Sequence, residues 1–175
     1  MQPIIGKNMT LFRDGECLEL RRWSEPAQMV GFAACALFIN LTIGYVISPL
    51  GFTDQKEVPA RLIQGLGVWV AIFITSFLAP FYETIIGQWL PMVVARWAKK
   101  TPPIQILYAS IWFGILHIRN GPANVIQAFG IGWVFASCFM FCRKEDWLKA
   151  YRVTTVAHIL HNFVVFMLFL FFPAH

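Results

Sequence analysis

The feature that most constrains this chain is the length of the segments that carry no charge. Crossing the hydrocarbon core of a bilayer takes about 20 consecutive apolar residues, and a charged side chain at its centre costs about 2.5–3.5 kcal/mol. The stretch 62–95 holds a single charged residue, Glu83. Four further stretches contain no Lys, Arg, Asp or Glu and are each long enough to span: 26–53, 101–118, 120–142 and 153–174. The sequence therefore predicts an integral membrane protein with several crossings.

The composition supports this prediction and excludes other classes. Of the 175 residues, 58% are apolar and 13% are charged, whereas a soluble domain carries roughly a quarter charged residues. The 17 Phe and 7 Trp residues exclude a disordered chain, and the net charge of +5 is not gathered on a soluble face that would bind nucleic acid. Because irregular backbone cannot face lipid, the apolar stretches should be helices. We therefore expect an all-α, polytopic transmembrane helical bundle with five to six hydrophobic helical segments.

The chain divides into two parts. Residues 1–25 mix basic and acidic side chains and are expected to form a short amphipathic segment in the cytoplasm. Residues 26–175 are expected to form a single transmembrane domain, with a loop at 51–61. The stretch 62–97 would make a helix about 54 Å long, against a hydrocarbon thickness near 30 Å, with Pro80 at its middle. It is either one long crossing kinked at Pro80 or two short spans.

The distribution of basic residues favours one kinked crossing, because cytoplasmic loops carry an excess of Lys and Arg. Two short spans would leave five of the 14 basic residues on the cytoplasmic side and nine opposite. One crossing leaves Lys56, Arg61 and Arg119 opposite, so we expect five passes with a cytoplasmic N-terminus; the small size suggests a bacterial cytoplasmic membrane. The basic residues on the cytoplasmic side are then Lys7, Arg13, Arg21, Arg22, Arg96, Lys99, Lys100, Arg143, Lys144, Lys149 and Arg152.

Four ionisable residues inside the apolar stretches are candidate functional residues, because a buried ionisable group needs a partner or a water-filled cavity. They are Glu83, His117, His158 and His161. His161 is about 100° around the helix from Asn162 and is interpreted as a packing or helix-bonding residue. Counted from the nearest basic residues at about 1.5 Å per residue, Glu83 lies about 20 Å deep and His158 about 9 Å, an imperfect match.

Residue spacing adds polar neighbours to these candidates. His158 and Asn162 are four residues apart and therefore project from one face of a helix. Thr84 and Gln88 have the same spacing beside Glu83. We expect their hydroxyl and amide to hydrogen-bond to each other and to steady the Glu83 region without adding another buried charge.

Three ordered motifs resemble the signature of the CPBP family of glutamic-type intramembrane endopeptidases, which includes the CAAX prenyl proteases. The family pattern is E-E-x-x-x-R, then F-x-x-x-H, then H-x-x-x-N or H-x-x-x-D, on separate membrane helices. Phe113 and His117 match the second motif, and His158 and Asn162 match the third. The resemblance covers about residues 62–170.

The first motif is matched in part. Glu83 takes the place of the leading glutamate, whereas Thr84 and Gln88 stand where the family has its second glutamate and its arginine. Exchanging both members of an ion pair for neutral polar residues costs less than removing one of them. The chain is therefore similar to a divergent subgroup of the family.

The resemblance implies an enzyme that hydrolyses a peptide bond in a membrane-embedded or lipid-anchored substrate. Such a reaction needs an activated water and donors for the oxyanion. It implies Glu83 as general base, His117 as the residue that orients the water with it, and His158 and Asn162 as oxyanion donors. The supporting residues are Thr84, Gln88 and Phe113. No cofactor is implied.

Other interpretations use the same residues. Imidazoles and a carboxylate can ligate zinc with an open position for water, although no H-E-x-x-H helix is present. A proton-coupled transporter can use Glu83 and the histidines as a relay, and an immunity or chaperone-like factor can bind a hydrophobic peptide without cleaving it. A haem-binding bundle is a weaker alternative, because His117 and His158 lack a second same-face pair at comparable depth. The sequence leaves the substrate and the oligomeric state open.

Overall fold

The computed structural model describes residues 23–50, 57–144 and 146–172, so most of the predicted amphipathic segment, residues 1–22, lies outside the described residues. Within the described ranges every regular element is helical, which confirms the predicted all-α bundle. The helices are α1 (Glu25–Ile47), α2 (Glu57–Leu66), α3 (Val68–Trp97), α4 (Pro102–Leu116), α5 (Pro122–Arg143) and α6 (Trp147–Phe171). Short 3-10 turns follow α1 at Ser48–Leu50 and α4 at Ile118–Asn120.

Helix α4 is shorter than the span expected for 101–118. Helices α1, α3, α5 and α6 are long and apolar enough to cross a bilayer. Helix α4 has 15 residues and rises about 22 Å, whereas α5 has 22 residues and rises about 33 Å. Because Arg143 at the end of α5 bonds to Gln105 near the start of α4, the other end of α4 stops short of the level where α5 begins. Residues 117–121 cover the remaining distance.

Two sequence predictions about the region before α3 are corrected. The expected loop at 51–61 is partly helical, because α2 begins at Glu57. The stretch 62–97 is not one helix, because Gly67 adopts a φ of 83°, a conformation that favours glycine, and separates α2 from α3. From Val68 onward the chain forms one continuous helix of 30 residues that is long and apolar enough for a single crossing.

Helix α3 accommodates two prolines with wide turns, so it passes through Pro80 as a continuous helix. It contains two π-helical segments, Phe73–Leu78 and Thr84–Trp89, and each ends two residues before a proline, Pro80 or Pro91. Proline lacks an N–H and its ring clashes with the carbonyl four residues earlier. A π segment replaces those bonds with i→i+5 bonds and widens the turn. The site residues that follow Pro80 therefore lie in an irregular part of the helix.

The core of the bundle is formed by α5, which packs against α1, α4, α6 and the second π segment of α3. Buried alanines line these contacts, and Gly130 lies directly against the side chain of Ile43 on α1. Small residues let membrane helices approach closely, because lipid provides no hydrophobic drive for their association. Gly130 and Gly132 are therefore packing positions of α5.

Basic residues gather at one end of the bundle, which we call the basic end. Arg152 at the start of α6 forms an ion pair with Glu25 at the start of α1, with Arg152 Nη2 2.6 Å from Glu25 Oε2. Helices α3 and α5 finish at this end and α4 begins there. Arg119 follows the opposite end of α4. This arrangement is the one expected for a single long crossing; seven basic residues lie at the basic end: Arg96, Lys99, Lys100, Arg143, Lys144, Lys149 and Arg152.

Candidate active site

Glu83 on α3 and His158 on α6 face each other inside the bundle. The Glu83 Oε2 atom lies 3.3 Å from His158 Nε2. Counted from the nearest basic residues, Glu83 and His158 lie at different depths. However, α6 begins at Trp147, five residues before Arg152, so the count from Arg152 places His158 too close to the end of its helix. Counted from Trp147, His158 lies about 16 Å along its helix, and Glu83 lies about 21 Å from Trp97. Measured from the helix ends, the two residues are therefore at similar depths.

A cavity of about 300 Å³ adjoins this pair. Its walls come from α1, α3, α4, α5, α6 and the connection between α4 and α5. The structure thus brings the four residues to which the resemblance assigns catalytic roles together around one space, although they are spread over 80 residues of the chain. The candidates that line it are Glu83, His117, His158 and Asn162, and Phe113 of the second motif lines it as well.

His117 lies where α4 ends, and its orientation is set by Phe113. The Nδ1 atom of His117 is 2.8 Å from the carbonyl oxygen of Phe113, and their rings lie 4.8 Å apart. Because a carbonyl only accepts, the Nδ1 atom must carry the hydrogen. The Nε2 atom of a neutral His117 is then an acceptor. His117 lines the cavity, and Nε2 is the ring nitrogen that its contact with Phe113 does not use.

His158 is held between aromatic rings. Its side chain is 3% exposed, against 29% for Glu83. The ring of Phe135 lies 4.5 Å from the imidazole and that of Phe113 lies 5.7 Å away. Its Nδ1 atom has no hydrogen-bond partner among the described residues. The polar contact that the structure gives this imidazole is therefore the one to the Glu83 carboxylate.

His161, Asn162 and Thr75 form a hydrogen-bonded chain along the cavity wall. Asn162 Nδ2 donates to the carbonyl oxygen of Thr75 at 3.0 Å, and His161 Nδ1 lies 3.0 Å from Asn162 Oδ1. The first bond identifies the Asn162 nitrogen, so His161 Nδ1 is the donor in the second. His161 lines the cavity and orients Asn162, so its role goes beyond the packing or helix bonding expected of it. Asn162 keeps one N–H for a further acceptor.

The predicted hydrogen bond between Thr84 and Gln88 is wrong. Both side chains are fully buried, and neither the Thr84 hydroxyl nor the Gln88 amide has a hydrogen-bond partner in the described parts of the chain. They lie in the second π segment of α3. Neither residue lines the cavity.

Sequence reasoning missed a set of uncharged amides. The cavity is also lined by Asn40 of α1, Asn120 of the α4–α5 connection, and Asn124 and Gln127 of α5. These amides are not ionisable and stand outside the three motifs. Their signal was present as polar side chains within the charge-free stretches 26–53 and 120–142.

No three His, Cys, Asp or Glu side chains of the described ranges are grouped so that they could hold a metal ion. Glu83 and His158 are within 3.3 Å of each other, but a tetrahedral site needs further ligands around the same point.

Together, the fold and this cavity define an α-helical integral membrane protein with a buried glutamate, histidine and asparagine site. Residues 65–164 match the family described as type II CAAX prenyl endopeptidase Rce1-like. The chain belongs to this family of proteases, which confirms the resemblance identified from the motifs. The matched region contains Glu83, His117, His158 and Asn162. No curated protein and no solved structure matches the chain significantly.

Proposed function

We propose that this protein is an endopeptidase that hydrolyses a peptide bond in a membrane-embedded or lipid-anchored substrate, with a prenylated CAAX peptide as its substrate class. The observation that carries the proposal is the 3.3 Å contact between Glu83 and His158 beside a cavity that also receives His117 and Asn162. Membership of the prenyl endopeptidase family supports the reaction class.

In the proposed reaction, Glu83 and His117 hold one water molecule. Glu83 accepts one of its protons, and His117 Nε2, free because Nδ1 bonds to Phe113, accepts a hydrogen bond from the other hydrogen. The water oxygen then attacks the scissile carbonyl carbon, forming the new C–O bond. Glu83 passes the proton to the amide nitrogen as the C–N bond breaks, leaving a carboxylic acid and an amine.

His158 and Asn162 are proposed to stabilise the oxyanion. In the resting site His158 Nε2 faces Glu83, and this contact weakens once Glu83 has taken a proton from water. The Nε2–H of His158 and the remaining N–H of Asn162 can then donate to the developing negative charge. Preorganised donors of this kind contribute strongly in a water-poor site.

The test of this proposal uses purified protein and a quenched fluorescent peptide that ends in a farnesylated CAAX sequence. We expect Glu83→Gln to lower kcat by about 10²–10⁴-fold, because it removes the general base and keeps the shape. Glu25→Gln changes a carboxylate at the basic end, away from the cavity, and should leave kcat unchanged. Cleavage by the Glu83→Gln variant at the wild-type rate would exclude the mechanism.

The proposed reaction uses no metal. Activity should therefore persist after prolonged treatment with EDTA or 1,10-phenanthroline. Loss of activity on chelation, with recovery on addition of Zn²⁺, would instead support the zinc interpretation.

A second candidate is a member of the family that binds the peptide without cleaving it. It is favoured by Thr84 and Gln88, which replace the family's second glutamate and its arginine and lie buried without partners among the described residues. The same labelled peptide distinguishes the two functions. Saturable binding without cleavage by the wild-type protein would favour the second.

A further inference from the structure

The four amides of the cavity form a surface that the proposed catalytic reaction does not use. We call Asn40, Asn120, Asn124 and Gln127 the amide wall. It is built by α1, the α4–α5 connection and α5, whereas Glu83, His158 and Asn162 come from α3 and α6. The amide wall is therefore a separate part of the lining of the same cavity.

The local structure directs this wall toward the cavity. Asn124 and Gln127 are three residues apart and share one face of α5. Gln127 is buried, and its Nε2 atom lies 2.8 Å from the position that a Cβ atom on Gly44 of α1 would occupy. Gly44 is four residues from Asn40 and thus on the same face of α1. The missing side chain at Gly44 leaves room for the Gln127 amide between the two helices.

The hydrogen-bonding capacity of the wall is not used up within the protein. Asn124 Oδ1 is buried and has no hydrogen-bond partner in the described part of the chain. A buried amide in a membrane helix commonly bonds across to a neighbouring helix, and this oxygen does not. An unpaired buried acceptor is costly. Asn124 also lines the cavity, so a rotation of its side chain would let a donor within the cavity pair with this oxygen.

The chemistry of the wall identifies what it would bind. A carboxamide offers both N–H donors and a carbonyl acceptor and carries no charge. A peptide main chain has the complementary groups, and in a membrane each of them needs a partner. A phosphate or carboxylate would instead call for a basic side chain, and the amide wall contains none.

We propose that the amide wall binds the main chain of the substrate next to the scissile bond. This inference rests on the proposed function, because it assigns the wall to the same substrate. Recognition through main-chain groups would position the scissile carbonyl without depending on the side chains around it.

The experiment measures the binding of a labelled peptide that ends in a farnesylated CAAX sequence to the Glu83→Gln protein, so that cleavage does not interfere. We expect Gln127→Met and Asn124→Leu, each added to Glu83→Gln, to raise Kd about tenfold, because each removes hydrogen bonds and keeps the volume. The control is Gln28→Met, which makes the same glutamine-to-methionine exchange at a buried residue of α1 that does not line the cavity. Added to Glu83→Gln, it should change Kd by less than twofold.

A second set of peptides separates a binding role from a structural one. In each peptide one main-chain amide beside the scissile bond is replaced by an ester, which removes its N–H. We expect at least one ester peptide to bind the Glu83→Gln protein more weakly than the amide peptide does. When Gln127→Met is also present, the same ester and amide peptides should bind equally well. An equal effect of every ester on both proteins, or an unchanged Kd in the wall variants, would overturn the inference. Binding that depends on the wall, together with no cleavage by the wild-type protein, would overturn the proposed function alone.

Discussion

Asn162 is oriented from two sides, and this determines where its remaining N–H can point. One hydrogen of Nδ2 bonds to the Thr75 carbonyl, and Oδ1 accepts from His161. His161 does not take part in the proposed reaction, but it holds the residue that does. It is therefore a positioning residue.

Replacing His161 with phenylalanine tests this role. We expect His161→Phe to lower kcat about fivefold and to leave KM nearly unchanged, because the lost hydrogen bond is worth about 1 kcal/mol and Asn162 acts in the transition state. The aromatic ring keeps the edge contact with Phe135. In an Asn162→Ala background the same exchange should have no further effect. A positioning role would be contradicted if His161→Phe lowered kcat by the same factor in the Asn162→Ala background as in the wild-type protein.

At the scale of residues, the motifs predicted which side chains would meet but not all of their bonds. Glu83 and His158 are brought together, although 75 residues separate them in the chain. The bond expected between Thr84 and Gln88 does not form, although both side chains are buried in the second π segment of α3. No sequence pattern used here detects a π segment, although Pro80 and Pro91 mark where the two segments end.

At the scale of elements, two glycines allow α3 and α5 to pack closely against the side chain of Phe113 on α4. A Cβ atom on Gly87 of α3 would lie 2.6 Å from Phe113 Cδ2, and one on Gly132 of α5 would lie 2.9 Å from Phe113 Cβ. Phe113 in turn supplies the carbonyl that orients His117. The packing of three helices therefore sets the direction of a site residue.

Adding a methyl group at Gly87 should disturb this arrangement. We expect Gly87→Ala to destabilise the protein by about 1–3 kcal/mol, because the new methyl overlaps a buried ring that is itself tightly enclosed. Thermal unfolding in detergent measures the effect.

Gly65→Ala is the matched control for Gly87→Ala. A Cβ atom at Gly65 in α2 meets nothing within 4 Å. Its melting temperature should stay the same or rise, since alanine favours a helix over glycine by about 0.5–1 kcal/mol. Equal melting temperatures for the two variants would show that Phe113 moves aside freely.

At the scale of the whole molecule, the basic end predicts how the bundle lies in the membrane. Seven basic residues of the described chain lie at this end, whereas Arg119 lies beyond the opposite end of α4. The excess of Lys and Arg on the cytoplasmic side of membrane proteins predicts that the basic end faces the cytoplasm.

Single cysteines introduced at the two ends test this orientation. In intact cells that express the protein without its native cysteines, a membrane-impermeant maleimide should label Arg119→Cys. It should label Lys99→Cys and Lys149→Cys only after the cells are lysed. Labelling of Lys99→Cys and Lys149→Cys in intact cells would reverse the orientation. Labelling of one without the other would contradict the two crossings made by α4 and α5 between them.

The sequence by itself determined the class of fold, the residues of the motifs and the end at which the basic residues gather. These follow from the cost of placing charges and unpaired backbone in lipid, which acts on every segment separately. The tertiary structure decided that His161 orients Asn162, that Thr84 and Gln88 stay unpaired in the described chain, and that the amides of α1 and α5 share a cavity with Glu83. Those properties depend on helix ends, π turns and the rotation of each helix in the bundle, and these are set by packing between segments far apart in the chain.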